Sequence, residues 1–294
     1  MNLTRPSEIR DLLDRLGIRP RKSLGQHFLI DGNILDILLN AADLKQSDRV
    51  LEVGPGLGTV TQRLLETGAQ VVAIEKDARM AAWLEEFFAD QSGLRLLHED
   101  ALKSDWGKLL AGPYGVKVVA NLPYGVGSRI LVDWVRSASP PELIVVTVQL
   151  EVAERLAARP GDKDYGLLSV WTQLRYDVDI VKTVSRTCFL PPPVVASAIV
   201  RMTRHERLPI SDRSARLLYD IVGTAFRHRR KQLATSLPHS PQAGGAESAD
   251  IAACLKSLGL NPRSRPSDLS VDEWRRFAER LLEGKSVDRA GTTN

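Results

Sequence analysis

Residues 49–58 read Arg-Val-Leu-Glu-Val-Gly-Pro-Gly-Leu-Gly, a β-rich run ending in three alternating glycines, with helical periodicity over 59–67 behind it. A strand that ends in a glycine turn and opens a helix is the first unit of a parallel α/β sheet. The pattern repeats. Further apolar runs stand at 70–75 (QVVAIE), 94–99 (LRLLHE), 116–121 (VKVVAN) and 143–149 (LIVVTVQ), with amphipathic stretches such as 77–90 between them. Continuous apolar strands separated by helices belong to sheets covered on both faces. The fold class expected from these runs is α/β.

Downstream the character changes. Residues 150–176 predict helix, broken at Arg159-Pro160-Gly161. The runs 177–186 and 196–202 predict two extended segments joined through Leu190-Pro191-Pro192-Pro193, a hairpin closing the far edge of the sheet. Residues 211–237, 248–259 and 270–284 have helical period and predict a small all-α domain, interrupted by a loop at 238–245. The expected organisation is one domain over 1–205, a helical domain over 206–284 and a disordered tail over 285–294.

Composition narrows the function classes. The chain has 294 residues, 43% hydrophobic and 26% charged, which excludes a disordered or collagen-like polymer and suits two domains. No apolar stretch approaches the roughly 20 residues that span a bilayer. The first 19 residues alternate charged and apolar side chains, unlike a secretory signal. Cys188 and Cys254 match no zinc spacing, so a cytoplasmic protein with reduced thiols, no metal and no membrane partner is expected. Net charge is only +4, but it is unevenly spread. Residues 201–236 carry nine Lys/Arg against three Asp/Glu, a local +6, whereas 75–105 carry eight acids against four bases. That asymmetry predicts a basic, nucleic-acid-facing region and an acidic one elsewhere.

The glycine turn runs Glu52-Val53-Gly54-Pro55-Gly56-Leu57-Gly58, at the carboxyl end of a parallel strand where open α/β sheets bind ligands. A dinucleotide fingerprint would need glycine at position 59, which is Thr59. The second strand ends at Glu75, and a carboxylate there accepts hydrogen bonds from both ribose hydroxyls of an adenosine. With no cation nearby for a pyrophosphate, a nucleoside without phosphate fits better than a dinucleotide, and S-adenosylmethionine is such a ligand. Gly54, Gly56 and Glu75 are thus candidate cofactor residues. Asp100, after the third strand, is placed to accept from the adenine amino group of the same ligand.

The fourth strand ends in Asn121-Leu122-Pro123-Tyr124, the most specific feature of the chain. An exocyclic base amine is a poor nucleophile because its lone pair is delocalised into the ring. A site that methylates it has to draw its N–H groups toward acceptors, so that the nitrogen becomes more tetrahedral. The Asn121 side-chain oxygen and the Leu122 carbonyl supply two acceptors. Pro123 fixes the local dihedral, and Tyr124 offers a stacking face to a flipped base. Phe189, before the triple proline, is the candidate second stacking face.

Together these residues resemble the KsgA/RsmA-type family of small-subunit (16S) rRNA adenine N6,N6-dimethyltransferases. The resemblance rests on Lys22-Ser23-Leu24-Gly25-Gln26-His27-Phe28-Leu29, on 52–58, on 121–124 and on Gln149-Leu150-Glu151-Val152-Ala153-Glu154-Arg155-Leu156. It continues through 164–170 (DYGLLSV), 189–193 and Ala225-Phe226-Arg227-His228-Arg229-Arg230-Lys231. It implies a class I (Rossmann-like) methyltransferase sheet with a small all-α C-terminal domain. It also implies cofactor contacts at His27, Leu29, Gly54, Glu75, Asp100 and Asn121. Four methyl groups would go to two adjacent adenosines near the 3′ end of 16S rRNA in a nearly assembled pre-30S particle, and the enzyme is expected to be a monomer. Arg227, Arg229, Arg230 and Lys231 would face the RNA, with Lys22 extending that surface. Two readings stay open beside it, methylation of large-subunit RNA and a non-catalytic assembly factor that keeps the fold.

Three departures from the family pattern stand out. His27 replaces the usual Asn. Gly125-Val126-Gly127-Ser128 replaces Asn-Ile-Ser after the tetrapeptide, an expected loosening of the loop. Val194-Val195-Ala196-Ser197 replaces Lys-Val-Asp-Ser, losing one base and one acid.

Overall fold

The computed structural model describes residues 1–20, 25–112, 115–239 and 246–290. Lys22, part of the expected RNA surface, lies outside the described residues, as does most of the loop expected at 238–245.

The strands fall where the apolar runs place them: β2 (Arg49–Val53), β3 (Gln70–Glu75), β4 (Leu94–His98), β5 (Val116–Asn121) and β6 (Leu143–Gln149). With β7 (Tyr176–Val184) and β9 (Ser197–Arg204) they form a seven-stranded sheet in the order β4-β3-β2-β5-β6-β9-β7. The first five are parallel to one another, and β9 runs antiparallel to β6 from Leu143↔Thr203 to Gln149↔Ser197. The chain builds outward from β2 through β3 to β4, then returns to β5 on the other side of β2. That reversal makes the β2/β5 boundary the topological switch point, where the carboxyl ends of open sheets leave a crevice. Gly54 and Asn121 sit there.

Two helical layers cover the sheet. α2 (Gly32–Ala42), capped by Asp31, packs Leu35 and Leu38 with Val50, Val71, Val119 and Val145, and α3 (Thr59–Glu66) adds Val60 and Leu64. α1 (Pro6–Arg15) opens on Pro6 and spaces Ile9, Leu12 and Leu13 along one face. These pack with Met80, Trp83 and Leu84 of α4 (Ala78–Phe87). A second, two-stranded sheet pairs β1 (Phe28–Leu29) antiparallel with β8 (Phe189–Leu190), joining the N-terminal motif to the segment before the prolines.

By its internal contacts the chain divides into two units, Met1–Glu154 with Asp177–Arg204, and Arg155–Tyr176 with His205–Asn294. The expected single boundary at 205 is corrected in this respect: the 155–176 segment groups with the C-terminal helices. Its α8 (Leu167–Gln173) supplies Trp171, edge-on to Tyr219 of α9 (Asp212–Arg227) at 5.6 Å. Tyr165 meets Phe226 at 6.1 Å and donates its hydroxyl to the Leu269 carbonyl at 2.9 Å. The helix expected over 211–237 is two, α9 and α10 (Leu233–Ser236), separated by a turn in which the Lys231 N–H donates to the His228 carbonyl. α11 (Ser248–Ser257) and α12 (Val271–Ala290) follow, and α12 extends past Gly284, where helical period was expected to end.

Candidate active site

Four strand ends supply the site. β2 passes into Gly54, β3 ends on Glu75, β4 leads to Asp100 and β5 ends on Asn121. With His27 and Leu29 they line one cleft of about 260 Å³, together with Gly56 and Pro123. Eight of the predicted residues are thereby brought together from five separate segments.

Close backbone approach explains two of the glycines. Gly54 has φ +70°, and a Cβ there would lie 2.9 Å from Pro123 Cγ. Gly25 has φ +63°, and its Cβ would lie 2.8 Å from the Tyr124 backbone nitrogen. Any side chain at either position is strained and pushes on the tetrapeptide. The loop beyond it is not loose. The Val126 and Gly127 N–H groups both donate to the Pro123 carbonyl, at 3.2 and 2.9 Å, and lead straight into α6 (Gly127–Arg136).

The two ends of the Asn121 amide stand in different surroundings. Its Nδ2 donates to the His27 carbonyl at 2.8 Å, and because a carbonyl only accepts, this contact fixes which end of the amide is oxygen. Oδ1 is buried without a hydrogen-bond partner. An unpaired buried acceptor costs about 1–3 kcal/mol unless a donor completes its bonding, and Asn121 lines the cleft. The Leu122 N–H donates to the Thr147 carbonyl at 3.1 Å, tying the tetrapeptide backbone to β6.

The carboxylates differ in environment. Glu75 is 6% exposed and accepts from the Gly56 N–H at 3.1 Å and the Asp77 N–H at 2.8 Å. Burial raises its pKa above the ordinary value, and those backbone donors oppose the rise. Asp100 accepts from Leu102 N–H and from Lys76 Nζ, at 3.0 and 2.8 Å; the Lys76 hydrogen bond, then the Leu102 one, hold its carboxyl below the ordinary range. Both Asp100 carboxylate oxygens therefore already have a donor within the protein. Among the described residues Lys76 is the only Lys or Arg lining the cleft, which suits a ligand without a pyrophosphate.

Glu52, the acid preceding the glycines, received no role from its sequence position alone. It is buried at the cleft floor and accepts the Thr61 hydroxyl at 2.7 Å. Burial pushes its carboxyl up to about 8; the Thr61 bond opposes this and the Glu75 charge adds to it. The folded protein thus holds this proton more tightly than the unfolded chain, whose value is near 4.5. The stability it confers is complete below that lower value and is lost as pH rises through the higher one. Urea unfolding at pH 5 and pH 8 is expected to show the wild type losing on the order of a few kcal/mol more than Glu52→Gln over this interval. Equal losses in both would show that Glu52 is ionised in the fold.

Phe189 is 1% exposed and sits in the core with Leu29, Leu35 and Ile199, outside the cleft lining, where its ring anchors β8. The His27 ring, expected to donate to the cofactor, lies with Nδ1 2.8 Å from the Pro191 carbonyl. That carbonyl can only accept, so Nδ1 is the donor in this contact, and the residue still lines the cleft. In the helical unit Arg227, Arg229, Arg230 and Lys231 are exposed, but Arg229 donates to the Lys163 and Asp162 carbonyls and Arg227 to the Thr224 hydroxyl.

The sheet order, the glycine turn at the switch point and the acid-ended second strand define a Rossmann-like α/β protein of the methyltransferase class. The family model for ribosomal RNA adenine dimethylase matches residues 17–282, and the chain belongs to that family. The small-subunit ribosomal RNA methyltransferase A of Geobacillus thermodenitrificans is 34% identical over 285 residues, 96% of this chain and 97% of that one. Among solved structures, a dimethyladenosine transferase from Plasmodium falciparum has a TM-score of 0.73 at 25% identity, covering 87% of this chain and 96% of its own. The 23S rRNA methyltransferase ErmE has 0.64 at 26% identity, covering 86% and 99%. Among the described residues no helix is long and apolar enough to cross a membrane.

Proposed function

We propose that the chain methylates N6 of two adjacent adenosines near the 3′ end of 16S rRNA in a pre-30S particle, twice each, with S-adenosylmethionine as donor. The observation that carries this reading is the buried, unpartnered Oδ1 of Asn121 at the end of β5, beside a cleft suited to a nucleoside. When bound, S-adenosylmethionine supplies an electrophilic sulfonium methyl. The protein's part is positioning and electrostatics. Glu75 accepts the ribose hydroxyls, Asp100 accepts the cofactor's adenine amine through a lone pair its present partners leave, and Gly54 and Gly56 let the backbone approach. Asn121 Oδ1 and the Leu122 carbonyl accept the two N–H groups of the target amine, turning its lone pair toward the methyl and stabilising the developing positive charge. A strong base is unnecessary, because the proton is acidified once the fourth substituent forms. Tyr124 stacks on the flipped base.

The helical unit supplies phosphate contacts without reading sequence. Each such contact contributes about 0.7–0.9 to the slope of log affinity against log salt. Replacing Arg230 and Lys231 together with alanine is expected to reduce that slope for small-subunit binding by about 1.5, read by filter binding from low to moderate salt. An unchanged slope removes these two residues from the RNA surface.

This reading gives a monomeric, cytoplasmic enzyme. Its test is incubation with purified, unmethylated small and large subunits and labelled cofactor, followed by mass spectrometry of the rRNA. Dimethyladenosine at two adjacent small-subunit positions is expected. Label confined to the large subunit overturns the substrate assignment, and label in neither favours an assembly factor.

A further inference from the structure

The tetrapeptide's proposed stacking residue, Tyr124, is held at its hydroxyl by a group outside the family's cofactor and acceptor set. Its hydroxyl hydrogen-bonds the Ser197 hydroxyl, the two lying 73 residues apart in the chain. Ser197 is fully buried and opens β9, directly across from Gln149 in the antiparallel ladder with β6. One residue before it, the Ala196 carbonyl accepts the N–H of Leu150, the residue that follows β6, at 2.9 Å, so the backbone is held on both sides of Ser197. On its other side the Tyr124 ring meets the His27 ring, centroids 5.1 Å apart and planes tilted by 36°. That imidazole is in turn anchored on the Pro191 carbonyl. The ring therefore has a sheet-borne hydroxyl at its tip and a fixed imidazole on its flank.

We propose that Ser197 is a positioning residue for base methylation: its hydroxyl, fixed by the β6–β9 ladder, sets the orientation in which Tyr124 receives the flipped adenine. The proposal rests on Asn121–Tyr124 being the methylating site. Without Ser197, the Tyr124 ring would still be available for stacking but would keep only the His27 contact. A misplacement of about 1 Å at a reacting centre costs on the order of 10²-fold in rate. Burial raises the Tyr124 phenol above its ordinary value, so it stays un-ionised and the hydroxyl pair persists across the working pH range. Ser197 also survives in this chain where the neighbouring Lys and Asp of the family pattern are replaced, by Val194 and Ala196. The cofactor cleft is lined by other residues, so Ser197 should leave cofactor binding alone.

The test compares Ser197→Ala, Tyr124→Phe and the double variant under single-turnover conditions, which are insensitive to the fraction of active protein, on unmethylated small subunits. Tyr124→Phe removes the same hydrogen bond while keeping the stacking ring, so it serves even if Ser197→Ala folds poorly. Each single change is expected to slow methyl transfer about ten- to a hundredfold, with S-adenosylmethionine affinity changed less than twofold. The double variant is expected to be no slower than the worse single one, because both remove one interaction. Wild-type rates in both single variants overturn the proposal, as does a double variant whose loss is the product of the two. Asn121→Ala is run alongside. If it too keeps the wild-type rate, the assignment of the methylating site has failed; if it alone is slow, only the role of Ser197 has.

Discussion

Replacing Asn121 with alanine is expected to slow methyl transfer to the small subunit by about 10²- to 10³-fold, the usual loss when one pre-aimed polar group of a developing charge is removed. The fold is expected to survive. The wild type already carries the cost of an unpartnered buried Oδ1, and alanine removes that atom along with the Nδ2 bond to the His27 carbonyl. The two terms are of similar size, about 1–3 kcal/mol for the orphaned acceptor and about 1 kcal/mol for the bond, so unfolding free energy should move by little. Stability held near wild type with the rate collapsed is the signature of a residue kept for chemistry at the expense of packing. Asn121→Asp is a sharper control. It keeps an acceptor at Oδ1 but places a second oxygen against the His27 carbonyl, where a donor is needed, so it should be slow as well as destabilised. A rate within tenfold of wild type in Asn121→Ala would transfer the chemistry to some other acceptor.

What the sequence made legible, and what it left hidden, divides along local and non-local physics. Each parallel strand was written as a run of β-branched and aliphatic residues, and each candidate residue of β2, β3, β4 and β5 lay at or just past the end of its run, so its position along the chain could be deduced. α2 also had a start signal, Asp31 ahead of an apolar run, though no helix was read there. α6 begins on Gly127 with no capping side chain, and α1 follows Arg5, which makes no cap, so neither announced itself. The 155–176 segment shows its helical period, but periodicity does not reveal which core a helix joins; Tyr165 finds its partners at Phe226 and Leu269. The same limit hid the site's supports. Asn121 bonds a carbonyl 94 positions away, and Tyr124 a hydroxyl 73 positions away. The burial of Phe189 was hidden for a related reason: an aromatic before prolines looks like a loop tip, but β8 pairs with β1. The uneven charge was visible at once, yet Arg229 shows that part of a basic cluster can be committed to carbonyls within its own unit.

Removing the Glu75 carboxylate is expected to give the largest loss of cofactor affinity of any single change at the site. Hydrogen bonds to a charged group are worth about 1.5–3 kcal/mol, which corresponds to roughly ten- to a hundredfold in Kd. Glu75→Ala should therefore weaken S-adenosylmethionine binding by about that factor, measured by isothermal titration calorimetry. The alternative explanation is indirect: Glu75 also accepts the Gly56 and Asp77 N–H groups, and their release could disturb the glycine turn. Glu75→Gln keeps the volume and one acceptor oxygen but presents an amide N–H₂ toward one of those backbone donors. The two explanations separate on a ligand lacking the group in question. S-adenosylhomocysteine and its 2′-deoxyribose analogue should differ about tenfold or more on the wild type, because a desolvated carboxylate aimed at a missing hydroxyl loses that donor with no water to replace it. On Glu75→Ala the two ligands should bind alike. If the variant still prefers the ribose form by the wild-type ratio, Glu75 supports the turn and some other group reads the sugar. The burial that raises the Glu75 pKa makes this contact pH-dependent. A carboxylate is the better acceptor, and ionisation is harder here than in water, so affinity should fall on acidification at a higher pH than for an exposed glutamate. In Glu75→Ala that component of the pH profile should be absent.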